Sequence, residues 1–346
     1  MPSAPQSPRC VSAELGNVPP PKAWAKRPGL ISLVIPVFRE AEGITHFGEA
    51  LIAVMDDLGL PYEILFIEDD SPDESFERIR DLHGRFPGVV KALSMSRRFG
   101  HQASLAAGFE QARGDVVLCM DSDMQHPPEM VPFLLWKWSE GYQLVYTRRR
   151  KQEGRGAVKE LASRLFYRAI NRVSDVQLEE GTADFRLMDR LVVDALRRFS
   201  ERWLFYRGLA QWAGFRRLAV FYDAPARFAG TSSYTWRRML RMGTDALFTF
   251  SLFPLRLSYL MGGFSLVITF AYALFTLVSW LLGAGQVPGY TSLVLLVSFL
   301  GSFNLICFGI VGEYVGRIHE QVKQRPIYLV KERIGFTMEH APAVAA

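Results

Sequence analysis

The sequence predicts an α/β protein: a mostly parallel sheet of Rossmann-like build, followed by a two-helix transmembrane hairpin. Three observations carry this. Short apolar runs alternate with longer amphipathic stretches between residues 30 and 149, the pattern of strands joined by covering helices. Charged residues gather where the apolar runs end, at Glu40, at Glu68, Asp69 and Asp70, at Asp121 and Asp123, and at Arg148. In open sheets of this kind, ligands lie beyond the carboxyl ends of the strands. Finally, residues 257–282 and 289–312 contain no Asp, Glu, Lys or Arg, and each exceeds the roughly 20 residues that cross a bilayer as a helix.

Taken in order, "ISLVIPV" (31–37) is the first strand and a helix follows over 42–58. "YEILFIED" (62–69) is the second strand, "DESFERIRDLHGRF" a helix, "VVKALSMS" (89–96) the third strand and "HQASLAAGFEQAR" (101–113) a helix. "GDVVLCMDSD" (114–123) is the fourth strand. "PPEMVPFLLWKWSE" then opens a helix on proline, where a missing N–H is harmless. "YQLVYTRR" (142–149) is the fifth strand. Beyond it the pattern loosens: "KELASRLFYRAINRV" suits a helix, "TADFRLM" a short strand and "DRLVVDALRRF" another helix. "SYTWRRMLRMGTDALFTFSLF" mixes basic with aromatic and apolar residues, as an amphipathic helix on a membrane surface does.

The implied domains are a tail over 1–29, a sheet domain over 30–232, juxtamembrane amphipathic helices over 233–256, the two transmembrane helices within 257–315 and a cytoplasmic tail over 316–346. The first tail is rich in Pro and Ser without an apolar core, so it is expected to be disordered rather than a signal peptide. Arg237, Arg238, Arg241 and Arg256 precede the hairpin, and Arg317, Lys323, Arg325 and Lys331 follow it. Basic flanks stay on the cytoplasmic side. The net charge of +5 thus clusters beside the apolar runs, which suits anionic membrane lipid and not nucleic acid. Cys10, Cys119 and Cys307 show no pairing or metal-ligand spacing, as in a reducing compartment.

The chemistry starts from "MDSD". Residues two apart on a strand share a face, so Asp121 and Asp123 should emerge side by side. Such a pair suits a hard divalent cation, which binds one or two carboxylates together with substrate phosphates. The competing expectation is a capped turn, with Asp123 accepting backbone N–H groups ahead of the next helix. His126 is expected to serve helix entry in preference to metal ligation. Trp136, Trp138 and the phenylalanines of 199–221 are assigned to the core.

Six segments occur together in order: "VIPVFREAEGI", "FIEDDSPDES", "SMSRRFGHQASLAAGF", "MDSDMQHPPE", "GTADFRLMDR" and "RFAGTSSYTWRRM". Over residues 30 to 256 the chain resembles the inverting family-2 glycosyltransferases of GT-A fold that load sugars onto polyprenyl phosphates, the group of the bactoprenol glucosyltransferases and dolichyl-phosphate mannose synthases. The hairpin matches the bacterial branch. The resemblance implies transfer of one sugar from a nucleotide sugar to polyprenyl (undecaprenyl) phosphate, with Mg²⁺ or Mn²⁺, at the cytoplasmic face of a bacterial inner membrane. UDP-glucose is the favoured donor and GDP-mannose the alternative, and a homotetramer is the assembly implied.

Residue by residue, the resemblance puts Pro36, Phe38 and Glu40 in the loop that meets the nucleotide, Phe38 standing for Tyr and Arg39 for Asn. Ile67 and Asp69 are implied at the base and ribose, with Glu68 in place of Asp and Asp70 in place of Gly. Asp121 and Asp123 match the metal pair, with Gln125 assisting and Ser122 between them in the donor site. Arg148 matches a donor-phosphate contact, Lys159 and Ser163 fall where the acceptor phosphate is held, and Asp184 is the base or orienting group. Arg227 opens "RFAGTSS", where Ser233 replaces a lysine that helps hold the diphosphate; Arg98 replaces an Asn. A leaving diphosphate needs its growing charge stabilised, by the ion and by Arg148 and Arg227. A lipid monophosphate, with a second pKa near ~6, is already largely dianionic at neutral pH. The departures at Asp70 and Ser233 keep a non-catalytic nucleotide- or lipid-binding regulator as a further alternative. A processive synthase is disfavoured, since "FSERW" has Phe199 where the Gln of Q-x-x-R-W would stand.

Overall fold

A computed structural model describes residues 9–12, 18–150, 171, 179, 181–199, 201, 204–223, 225, 248, 251, 253–282 and 289–336. Its described strands are β1 (Arg9–Ser12), β2 (Ile31–Val37), β3 (Tyr62–Glu68), β4 (Val90–Met95), β5 (Val116–Cys119), β6 (Leu144–Arg149), β7 (Thr182–Asp189), β8 (Arg217–Tyr222) and β9 (Val330–Ile334). They form one sheet in the order β1-β8-β6-β7-β5-β2-β3-β4-β9. β5, β2, β3 and β4 run parallel. Every residue of β2 is buried, as expected of a strand covered on both faces.

The covering helices are α1 (Ile44–Leu58), α2 (Ser75–Arg85), α3 (His101–Gln111), α4 (Val131–Ser139), α5 (Arg190–Arg197) and α6 (Tyr206–Trp212). α3 packs on β2 and β3. Gly108 permits this close approach, because a Cβ there would lie 2.2 Å from Val34 Cγ1. Each parallel strand feeds a helix that returns to the opposite rim, so the loops after β2, β3, β4 and β5 share one edge of the sheet.

Three expectations are corrected. The strand expected at "TADFRLM" forms, but as the long central β7 rather than a short one, antiparallel between β5 and β6, with Leu118 opposite Leu187 and Val145 also opposite Leu187. The first tail is ordered in part, since β1 adds to β8 and Trp24, 6% exposed, donates its indole N–H to Pro19 O at 2.8 Å. The last tail contains β9, paired antiparallel with β4 and pinned by an Arg80–Glu332 ion pair at 3.0 Å.

A second unit contains two long helices, α7 (Phe253–Leu281) and α8 (Tyr290–Val322), each long and apolar enough to cross a membrane. They extend past both limits of the expected 257–315 segment. Their side chains point outward, Phe264, Leu305 and Phe308 being 58%, 74% and 73% exposed. Most of the expected juxtamembrane helices lie outside the described residues, as do Lys159, Ser163, Arg227 and Ser233.

At the rim opposite the loops, Asp189 ties three elements. Its carboxylate accepts the Trp138 indole N–H at 2.8 Å, the Lys26 ammonium at 3.2 Å and, as N-cap of α5, the Leu191 N–H at 3.0 Å. Asp189→Ala removes a cap and strands a buried indole donor, and is expected to cost about 2–4 kcal/mol. Burial opposes ionisation of Asp189, yet the three donors outweigh it and hold the carboxyl below its ordinary value. A depressed folded pKa gives stability that is complete above the unfolded value and lost as pH falls through the folded one. Thermal melts of wild type and Asp189→Ala should therefore converge in acid. A gap of constant size would refute this account.

Candidate active site

The rim of the sheet begins with three backbone turns that few residues tolerate. Arg39, Asp70 and Met124 follow β2, β3 and β5 with φ of 60°, 49° and 62°. Non-glycine residues in this region occur mainly where the surroundings enforce them. The conformation at Asp70 explains the Gly expected there from the resemblance. Side chains from the β3–α2 loop and the start of α2 fix the first of these turns. Ser71 Oγ accepts the Arg39 N–H at 2.6 Å, Ser75 Oγ the Glu40 N–H at 2.9 Å and Asp73 Oδ2 the Ala41 N–H at 3.2 Å.

Several expected donor contacts are occupied structurally. Asp69, 3% exposed, accepts the Phe99 and Gly100 N–H groups at 2.6 and 2.8 Å. Burial nonetheless pushes its pKa up. Glu68 accepts from Ser71 N and Ser94 Oγ. Ile67 is fully buried, so its side chain is core and no pocket wall. Pro36 is buried too, and its carbonyl accepts the Ser122 hydroxyl at 3.4 Å. Ser122 thus ties the turn after β5 to β2 through its hydroxyl. Phe38 and Glu40 are half-buried at the rim.

Asp121 and Asp123 lie past the end of β5, in a turn rather than on the strand itself. Asp123 is 9% exposed and its Oδ1 accepts the Gln125 N–H at 3.1 Å. The capped-turn expectation is therefore realised without removing a metal role for the other carboxylate oxygens. The Gln125 contribution seen here is its backbone. His126 is wholly buried, stacked on Phe185 with centroids 5.1 Å apart, and its Nδ1 accepts the Asp121 N–H at 2.8 Å. That bond puts the proton of the neutral ring on Nε2, which has no hydrogen-bond partner and lies 3.7 Å from Asp121 Oδ2. Burial lowers the His126 pKa, which keeps the ring neutral.

The antiparallel β7 brings a third carboxylate beside Asp121 and Asp123. Cys119 pairs with Arg186, so the beginning of β7 meets the end of β5. Asp184, 4% exposed, receives Arg186 NH2 on Oδ1 at 2.6 Å and Arg207 NH2 on Oδ2 at 2.5 Å. Burial opposes ionisation, but Arg207 and Arg186 prevail and hold the carboxyl far below the ordinary carboxylate range. A carboxylate so stabilised is a poor proton acceptor. Of the two expected roles, base or orienting group, these contacts favour the second.

His101, opening α3, completes the cluster. Its Nε2 lies 3.0 Å from Asp121 Oδ1 and its Nδ1 3.9 Å from Asp184 Oδ2. Burial would lower its pKa, but the two carboxylates raise it. Burial likewise opposes ionisation of Asp121, but the hydrogen bond and positive charge of His101 hold its carboxyl below the ordinary value. Arg148, half-buried, lies 3.4 Å from Glu179 Oε2, whereas Arg149 and Arg150 turn to Tyr222 and Asp223. His101 and Arg186 stand within two of the six segments, but neither composition nor spacing gives them or Arg207 a role; the register of β7 places Asp184 and Arg186 beside the end of β5, and α3 and α6 bring His101 and Arg207 to Asp184.

The donor set is oxygen only at the Asp121–Asp123 turn. Among the described residues no cluster of three His, Cys, Asp or Glu side chains could hold a metal by itself. Two carboxylates without further protein ligands fit Mg²⁺ or Mn²⁺ shared with a substrate diphosphate.

Comparison with known proteins is consistent with this geometry. The sequence profile of glycosyl transferase family 2 matches residues 32–197. An uncharacterized glycosyltransferase of Synechocystis is 36% identical over 312 residues, 90% of this chain and 97% of that protein. The SfII prophage-derived bactoprenol glucosyl transferase of Shigella flexneri is 37% identical over 302 residues, 87% of this chain and 97% of the relative. A bactoprenol glucosyl transferase homolog of Escherichia coli is 34% identical over 301 residues, 87% of this chain and 98% of the relative. In structure, glucosyl-3-phosphoglycerate synthase from Mycobacterium tuberculosis, crystallised with Mn²⁺, UDP and phosphoglyceric acid, aligns with a TM-score of 0.50 at 19% identity, covering 71% of this chain and 85% of that one. This last likeness concerns the fold.

Proposed function

The chain belongs to glycosyl transferase family 2, and from that premise we propose that it moves a single glucose from UDP-glucose to a polyprenyl phosphate at the cytoplasmic face of a bacterial inner membrane. The observation that carries this reading is the Asp121–Asp123 turn past the end of β5, beside β2, which His101 links to an Asp184 held by Arg186 and Arg207. The relatives named for glucosyl transfer to bactoprenol support the acceptor and the sugar. The two long apolar helices support the location: a hairpin inserted in the bilayer keeps the site near an acceptor whose tail stays in the lipid.

In this mechanism Asp121 and Asp123 would hold the divalent ion, whose charge offsets that growing on the leaving diphosphate. Arg148 adds a fixed positive charge at the same rim. A phosphate oxygen of the acceptor attacks the anomeric carbon from the face opposite the diphosphate. The new O–C bond forms as the sugar–diphosphate bond breaks, its electron pair leaves with the nucleoside diphosphate, and the configuration inverts. No proton must be taken from a dianionic phosphate, which agrees with an Asp184 held ionised between two guanidinium groups. Asp184 instead fixes Arg207 and borders His101.

The test uses the full chain in undecaprenyl-phosphate vesicles with labelled UDP-glucose, UDP-galactose, UDP-N-acetylglucosamine or GDP-mannose. Butanol-extractable label is expected from UDP-glucose. EDTA should abolish it, and added Mg²⁺ or Mn²⁺ should restore it. Label from GDP-mannose alone would move the assignment to mannose, and no labelled lipid from any donor would end the transferase reading.

A further inference from the structure

The part of the rim away from the carboxylates carries an unusual stack of cations. Arg98 lies over the Phe38 ring with Cζ 3.9 Å from its centroid, and Arg39 approaches the same ring at 5.4 Å. Both arginines are exposed while Phe38 is half-buried. At 3.9 Å a planar guanidinium can stack on an aromatic face, and its outer face remains open to a second flat group.

The stack is held in place by its backbone. Asp69 receives the two N–H groups that follow Arg98 in the chain, those of Phe99 and Gly100. Ser71 receives the N–H of Arg39, whose φ of 60° is itself uncommon. The loops after β2 and β4 are therefore both fastened to the loop after β3, and a pair drawn from separate strands becomes one surface. An exposed arginine that merely covered a phenylalanine would need no such anchorage.

Position along the rim indicates the ligand. The order β5-β2-β3-β4 runs from the Asp121–Asp123 turn, through Phe38 after β2, to Arg98 after β4. Strands are about 4.8 Å apart, so Phe38 lies roughly one strand spacing from the carboxylates. A diphosphate at the carboxylates leaves its nucleoside to extend toward β2 and β3. There the first flat surface it meets is the Phe38–Arg98 stack.

We propose that Arg98 is a donor-binding residue whose guanidinium, backed by Phe38, forms the platform on which the nucleobase of the sugar donor stacks. The platform selects a flat base and leaves discrimination between bases to edge contacts. This deepens the transferase reading and rests on it.

The test is equilibrium binding to the full chain in detergent with Mn²⁺, using UDP, GDP and inorganic pyrophosphate as probes. Stacking of a base on a protein platform is worth enough that Arg98→Ala should weaken the nucleotide bound by wild type about tenfold. Pyrophosphate, which has no base, should bind the variant as it binds wild type. Arg98→Lys keeps the charge but not the plane and should retain most of the loss. Equal nucleotide affinity in wild type and Arg98→Ala would overturn the inference alone. So would full recovery by Arg98→Lys, or a parallel loss for pyrophosphate, because either would mean charge rather than stacking. Wild type that binds neither nucleotide would overturn the transferase reading itself, and this inference with it.

Discussion

Replacing Asp121 by Asn is expected to lower sugar transfer about a thousandfold, the scale on which lost charge stabilisation at a developing anion is felt. The variant keeps the size of the side chain and an oxygen that can accept from His101 Nε2, 3.0 Å away in the wild type. It loses the negative charge that both the ion and His101 require. The side chain is one-third exposed, so the variant should fold, with only a modest fall in melting temperature from the lost ion pair to His101. The measurement is initial rate of lipid labelling at saturating Mg²⁺, set beside a thermal melt. Retention of even a tenth of the activity would exclude Asp121 from a metal-dependent step.

Asp184→Asn is expected to act on stability as well as rate. Arg186 is 3% exposed, with NH2 on Asp184 and NH1 on the Tyr206 carbonyl at 3.1 Å. Removing the carboxylate's charge leaves a guanidinium buried without its partner, at a cost of about 3–5 kcal/mol. For a domain near 200 residues this lowers the melting temperature by roughly 10 °C. The double substitution Asp184→Ala with Arg186→Met removes both charges and should recover most of that loss. It should not recover activity, because Arg207 would still have lost its anchor. The sign with pH follows from the depressed carboxyl: its stabilisation is present above the ordinary carboxylate range and is lost only as strong acid reaches the folded value. A rate profile with an acidic limb that disappears in Asp184→Asn would restore the base role that the two guanidinium contacts argue against.

Much of the first half of the sheet was legible because parallel strands buried on both faces are written as unbroken apolar runs. "ISLVIPV" and "YEILFIE" read directly, and the charged residues after them mark the rim. The strands that escaped notice are amphipathic or late. "RLAVFY" follows Phe- and Trp-rich helical sequence, and "VKERI" carries three charges because both faces of this strand are partly open to solvent. Asp121, Asp123 and Asp184 were visible as candidates. Their mutual arrangement was not, since it depends on β7 entering between β5 and β6 in the opposite direction. Burial of Ile67 and engagement of Ser122 with Pro36 were equally hidden, as local sequence does not state which side of a rim a short side chain faces. His101 and Arg207 belong to helices whose sequences serve packing, and only the assembled sheet turns their first residues toward the carboxylates.

The two margins of the sheet have a consequence for the order in which the chain can be assembled. β1 waits for β8, more than two hundred residues later, and β4 waits for β9, whose residues are synthesised after both apolar helices. Until then β4 presents unpaired N–H and C=O groups along one flank, the kind of edge that recruits foreign strands. Pairings this distant in sequence form slowly and leave intermediates open to association. Completion of the sheet is thus tied to completion of the hairpin: a ribosome must deliver the apolar helices before the exposed flank of β4 can be covered.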